Sequence, residues 1–221
     1  MAIVTTTLKN SSHEAVIKVT GAAADSTTLD ISTLVNANQT LAGGNVVGVV
    51  LSDPARVITS APHFLRNGDK VTFASVGGTV ELNGNSYYVS DIDAITIELY
   101  SDATLATSVD ATAFTAYTTG GTVVINPKVN IAGVKYAGTT SSVVTVTRNS
   151  INVMAFSTEG VDGMDFAAGW VDTQENEFDI GVAFSGGAAT VYLTLRKQTG
   201  FLNNIETATY SVYDNEAAAG A

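Results

Sequence analysis

Apolar and polar residues alternate in short runs along most of this chain. Ala15-Val16-Ile17-Lys18-Val19, Val143-Val144-Thr145-Val146-Thr147 and Val191-Tyr192-Leu193-Thr194-Leu195 are the clearest cases. A period of two, carried by β-branched and aromatic residues, is the pattern of a strand with one buried face. Gly-Gly pairs at 43–44, 77–78, 120–121 and 186–187 lie between such runs and predict turns or loops. Helical periodicity is weak, and Ser32 to Gln39 and Asp165 to Trp170 are its best candidates. Many short strands with regular turn signals predict an all-β sandwich or barrel.

The middle of the chain is denser. Between about Asn45 and Val123 come Ala55 to Thr59, Lys70 to Phe73, Asn85 to Val89 and Ala94 to Leu99, with Asn67-Gly68 and Asn83-Gly84 as sharp turns. That is a self-contained meander the size of a small barrel. The N-terminal flank carries too few strands to bury a core alone. Residues 1–44 and 124–221 are therefore expected to form one discontinuous, jelly-roll-like β-sandwich, interrupted by an inserted barrel at 45–123. Gly43-Gly44 and Gly120-Gly121 are the expected hinges.

Composition narrows the function classes. Hydrophobic residues make up 45% of the 221 and charged residues 14%, which suits a packed core. There is no cysteine, so disulfides, thiolate nucleophiles and zinc–thiolate sites are excluded, and assembly in a reducing cytoplasm is expected. The net charge is −11, and the basic residues are few and scattered. A nucleic-acid binder needs clustered cations to displace phosphate counterions, so neither nucleic acid nor an anionic membrane is an expected partner. The first residues lack a basic start followed by an apolar run, so no signal peptide is expected. No apolar run approaches the roughly 18 residues a spanning helix needs.

Candidate chemistry is sparse. His13 stands in a polar run before a strand and is expected to be solvated. His63 is expected to brace a loop through a backbone hydrogen bond. A hydrolytic triad needs base, nucleophile and carboxylate in contact, and no Gly-x-Ser-x-Gly elbow supports one. Asp91/Asp93 and Asp162/Asp165 do not fit a twelve-residue calcium loop. Asp172, Glu175, Glu177 and Asp179 form an acidic run expected to be a solvated face. Tyr87-Tyr88 and Tyr210/Tyr213 are expected mainly to pack in the core. No catalytic, cofactor-binding or metal-binding residue is assigned, no cofactor is expected, and the chain is not expected to be an enzyme.

One stretch carries a resemblance. Ile58-Thr59, His63-Phe64, Asn67-Gly68-Asp69, Val76-Gly77-Gly78, Leu82-Asn83-Gly84, Tyr87-Tyr88-Val89 and Thr119-Gly120-Gly121 follow one another in order. This series resembles a module recurrent in tailed-phage virion proteins, described as similar to the FCCH domain of ubiquitin-activating enzymes. It departs at Phe64, where the family more often has glycine. The resemblance covers about a third of the chain. It implies a non-enzymatic bacteriophage structural protein. The position expected for it is a capsid decoration (cement) protein on the outer shell of the virion, assembled in the bacterial cytoplasm. Its expected partners are the major capsid protein or other virion proteins, and copies of itself in a homo-oligomer. A tail, neck or fibre-base component is the alternative, as is a carbohydrate-binding or host-adhesion module.

Two segments have the character of edge strands, which offer unpaired backbone groups to a neighbouring chain. They are the run from Ile3 to Leu8 and that from Thr207 to Tyr213. Ile3, Val4, Thr5, Leu8, Thr209, Tyr210, Val212 and Tyr213 are the expected assembly contacts.

Overall fold

The computed structural model describes residues 2–157, 160–170 and 176–203. The chain divides into two compact units, Met1–Thr40 with Pro127–Ala221, and Leu41–Asn126. In chain order the strands are β1 (Val4–Asn10), β2 (Glu14–Gly21), β3 (Ser26–Leu29), β4 (Gln39–Leu41), β5 (Gly43–Val50) and β6 (Arg56–Thr59). There follow β7 (Lys70–Ala74), β8 (Ser86–Asp93), β9 (Thr96–Tyr100), β10 (Thr122–Ile125), β11 (Val129–Gly138) and β12 (Val143–Arg148). The last are β13 (Ile151–Ser157), β14 (Gly160–Trp170), β15 (Ile180–Ser185), β16 (Ala189–Lys197) and β17 (Phe201–Asn203). The fold is all-β.

The discontinuous unit is a sandwich. One sheet has the order β1-β2-β16-β11-β14 and the other β13-β12-β15-β3, and β4 and β17 form a separate pair. Counting from β2 and omitting β4, the barrel strands and β17, the first strand lies beside the eighth, and the third beside the eighth and the sixth. The second lies beside the seventh, and the fourth beside the seventh and the fifth. That is the eight-strand jelly-roll order of two Greek keys, with β1 added at the edge beside β2. The barrel interrupts the connection between the second and third jelly-roll strands.

Alternation builds the core. In β2 the inward residues are Ala15, Ile17, Val19 and Gly21, and in β16 they are Val191, Leu193, Leu195 and Lys197. Val144, Val146, Ile180, Val182 and Phe184 meet them from the other sheet. Gly21 is required by packing, because a Cβ there would stand 2.6 Å from the Phe184 ring.

Two inward positions at strand ends hold cations. The Arg148 guanidinium is 1% exposed. It donates to the carbonyls of Phe178 (2.7 Å), Asn176 (3.1 Å) and Val129 (2.5 Å), tying β12 to the start of β11 and to the segment before β15. Lys197 Nζ donates to Gln39 Oε1 (2.6 Å), Asn10 Oδ1 (2.7 Å) and the Ser11 carbonyl (2.7 Å). Burial pushes this amine down to about 8. Each cation gathers oxygen acceptors from segments distant in sequence.

The second unit is a closed barrel of order β10-β5-β6-β9-β8-β7, sealed where β10 pairs with β7. Val57, Val71, Phe73, Val89, Ile97, Leu99 and Val123 fill it, all fully buried. Closure leaves no free edge. Asn83 receives the Val76 N–H on Oδ1 (2.8 Å) and donates to the Val76 carbonyl (2.9 Å), clamping the loop between β7 and β8.

Some expectations change. Gly43 and Gly44 are not a hinge but the start of β5, paired with Val124 and Val123 of β10. A Cβ on Gly43 would lie 2.0 Å from the Val123 carbonyl oxygen. The unit boundaries consequently fall outside the glycine pairs, after Thr40 and Asn126. Ser32 to Gln39 contains only a 3₁₀ turn, Ile31–Leu34, capped by the Asp30 carboxylate on the Ser32 N–H (2.9 Å). Asp165 to Trp170 is strand, held in the ladder between β11 and β14.

Candidate assembly surface

His63 is 2% exposed and lies in the barrel. Its Nδ1 accepts the Leu65 N–H at 3.0 Å, which leaves the proton on Nε2 to be donated to the Asp93 carbonyl at 2.9 Å. Both ring nitrogens are thus committed to backbone, and the ring braces the loop before Leu65 against the β8–β9 turn. His13 is exposed. Among the described residues, no group of three or more His, Cys, Asp or Glu side chains could hold a metal ion.

The acidic side chains mostly serve turns. Asp102 accepts from Thr104, Thr107 and Ala106, and these donors pull its carboxyl down to about 2, with Thr104 the largest cause. Asp93 caps the Ile95 N–H at 2.9 Å, and that bond holds it below the usual carboxylate range. Asp162 bonds the N–H of Gly163 (2.7 Å). Asp172 and Glu175 lie outside the described residues, and of the other two Asp179 is exposed as expected while Glu177 is not. Glu177 is 7% exposed and stands 3.7 Å from Lys128 Nζ. Asp179 accepts the Ile31 N–H at 3.1 Å, and desolvation raises its carboxyl above the ordinary value. Glu177 is turned inward, whereas Asp179 is exposed while it caps the start of the 3₁₀ turn.

Both tyrosines of β8 are half-buried, Tyr87 on the inner face opposite Val71 and Tyr88 on the outer face opposite Lys70. Tyr87 packs edge-on against Phe73, with ring centroids 5.9 Å apart, and Lys70 Nζ lies 5.6 Å from the Tyr88 ring centre.

The sandwich presents the surface features that bear on assembly. Among the described residues β1 is the outermost strand of its sheet and pairs with β2 alone. Every residue from Val4 to Lys9 is exposed, while Ile3 is partly buried against the sandwich core. Thr5 and Thr7 lie opposite Val19 and Ile17, the inward residues of β2, so they point to the inner side of the sheet. They are exposed nonetheless, because among the described residues the opposite sheet has one strand fewer and ends at β3. Between the two sheet edges runs a groove of about 290 Å³, walled by Thr5, Thr7 and Thr28 and floored by Ile17, Leu29 and Leu34. A larger groove of about 650 Å³ lies on the outer face of the five-stranded sheet, around Gly133, Gly163 and Thr194.

Of the expected assembly contacts, Val4, Thr5 and Leu8 thus lie on one free edge, beside Ile3. Thr209, Tyr210, Val212 and Tyr213 lie outside the described residues. Sequence reading missed the inward cations Arg148 and Lys197, although each continues the buried alternation of its strand. No protein-family model matches the chain, and no curated protein matches it.

Proposed function

We propose that this chain is a non-enzymatic structural component of a tailed-phage virion, a capsid decoration protein whose sandwich anchors it to the shell. The observation that carries the reading is β1, a strand regular from Val4 to Thr7 whose outer edge is unpaired among the described residues and whose side chains from Val4 to Lys9 are exposed. Such a strand offers main-chain donors and acceptors to another protein. Two further features support it. The ordered motifs that resemble the phage module fall within the barrel unit, from Ile58 to Gly121. The sandwich has the jelly-roll order, an architecture that capsid proteins use. His63 has both ring nitrogens on backbone groups.

The test is co-sedimentation of purified protein with particles lacking it. Removing residues 1–8 should abolish binding, whereas replacing residues 41–126 with a short Gly-Ser linker should leave it. The opposite result would make the barrel the anchor. Cryo-EM of the decorated particle then separates positions. Density repeating over the shell fits a decoration protein, and density confined to the tail axis fits a tail, neck or fibre-base component.

A further inference from the structure

β1 is an energetic oddity within a single copy. A strand at a sheet edge normally repays its ordering by burying one face. Here all residues from Val4 to Lys9 are exposed, and the strand overhangs an opposing sheet that stops at β3. The edge also lacks protection. It has no proline, no inward-pointing charge, and Lys9 as its only charged residue, already paired with Glu14 at 2.9 Å. The bulge between Thr7 and Lys9 leaves Val4 to Thr7 regular.

The charge pattern selects the occupant. The chain carries −11, so two copies repel over most of their surfaces. The stretch from Ala2 to Leu8 is neutral and gives like-charged copies a place to meet. It is also self-complementary. An antiparallel two-fold pairing centred on Thr6 sets Thr6 against Thr6 and Thr5 against Thr7. Threonine pairs across strands are favourable, and no like charges face each other. We infer that β1 pairs with β1 of a second copy, joining two five-stranded sheets into one of ten strands and narrowing the groove beneath each edge. This deepens the assembly reading of the same strand and rests on it, since it names the partner of that edge as a copy of this chain.

The experiment is sedimentation equilibrium on the full chain, with particle binding read in parallel. The wild type should be a dimer. Thr6→Lys and Thr6→Asp each place like charges face to face, and each alone should halve the mass while keeping the wild-type melting profile. Mixing the two variants should restore the dimer, because the charges are then opposite. Thr5→Pro and Thr6→Pro give a second route. Adjacent residues of a strand point their N–H groups to opposite sides, so one of the two removes a donor from the free edge. A monomeric wild type, or a dimer that survives all four changes, overturns the inference. If the wild type is monomeric while Thr6→Lys abolishes particle binding, β1 serves the shell and not a second copy. The virion reading then stands without the dimer.

Discussion

The barrel and the sandwich are made of the same kind of strand, yet they dispose of their edges in different ways. The barrel closes, since β7 and β10 pair and every ladder has a neighbour on both sides. The sandwich stays open, with β1 and β14 at the edges of one sheet and β13 and β3 at the edges of the other. Their polar interiors differ as well. The barrel fixes its loops with small local devices, such as Asn83 on Val76, His63 on Leu65 and Asp93, and Asp102 on the turn that follows it. The sandwich uses two long cations at strand ends, Arg148 and Lys197, each reaching segments distant in sequence. A closed unit with local bracing is complete by itself. An open unit whose distant segments are tied from within still has edges to offer, and this is why assembly is assigned to the sandwich.

The sharpest way to break that contrast is Arg148→Met. The substitution keeps an apolar stem but takes the Arg148 donors from the Phe178 and Val129 carbonyls, while the Asn176 carbonyl keeps the Val129 N–H. Each buried acceptor left unsatisfied costs about 1–3 kcal/mol, which is a large part of a domain's stability. In urea unfolding followed by NMR, the sandwich resonances should move to a lower midpoint while those of the barrel hold. A common shift of both would show that the two units melt together.

His63→Ala tests the other side at a smaller scale. It removes one acceptor and one donor from backbone groups of the loop before Leu65 and the β8–β9 turn, and should cost the barrel about 1–2 kcal/mol. The sandwich midpoint should not move, and particle binding should survive. Appearance of a hydrolase activity that this substitution removes would instead make the ring catalytic.

Much of the fold was legible because alternation reports which face of a strand is buried. β2, β7, β12 and β16 lie where the apolar period places them. The same rule holds for the buried cations. Arg148 follows Val144 and Val146 at the same spacing, and Lys197 follows Leu193 and Leu195. They were passed over because a charge at a strand end also suits a solvated terminus, and only the carbonyls brought in from Asn176, Phe178 and Gln39 decide between the two. Gly43-Gly44 misled for a related reason. A glycine pair marks either a turn or a close backbone approach, and the approach of Val123 is visible only once β5 and β10 are side by side. The overhang of β1 was beyond reach, because it depends on one sheet having five strands and the other four among the described residues.

The smallest predicted effect concerns Phe64, the one motif position where the sequence departs from the module it resembles. Phe64 has φ of +56°, in the left-handed region that costs a side-chain-bearing residue about 1–2 kcal/mol. Phe64 is 49% exposed, so burial returns only part of that cost. The neighbouring His63 bonds hold the backbone there. Glycine adopts this conformation without strain but gives back about 0.5–1 kcal/mol through the freedom it adds to the unfolded chain. Phe64→Gly should therefore raise the barrel's unfolding free energy by about 0.5 kcal/mol and leave the sandwich unchanged. Phe64→Asn, which tolerates the same backbone region, should fall between the two. The measurement is the barrel midpoint in the urea series used for Arg148→Met. A lower midpoint for the glycine variant would mean that contacts of the Phe64 ring outweigh the strain, and the loop would then be held by its aromatic residue as well as by His63.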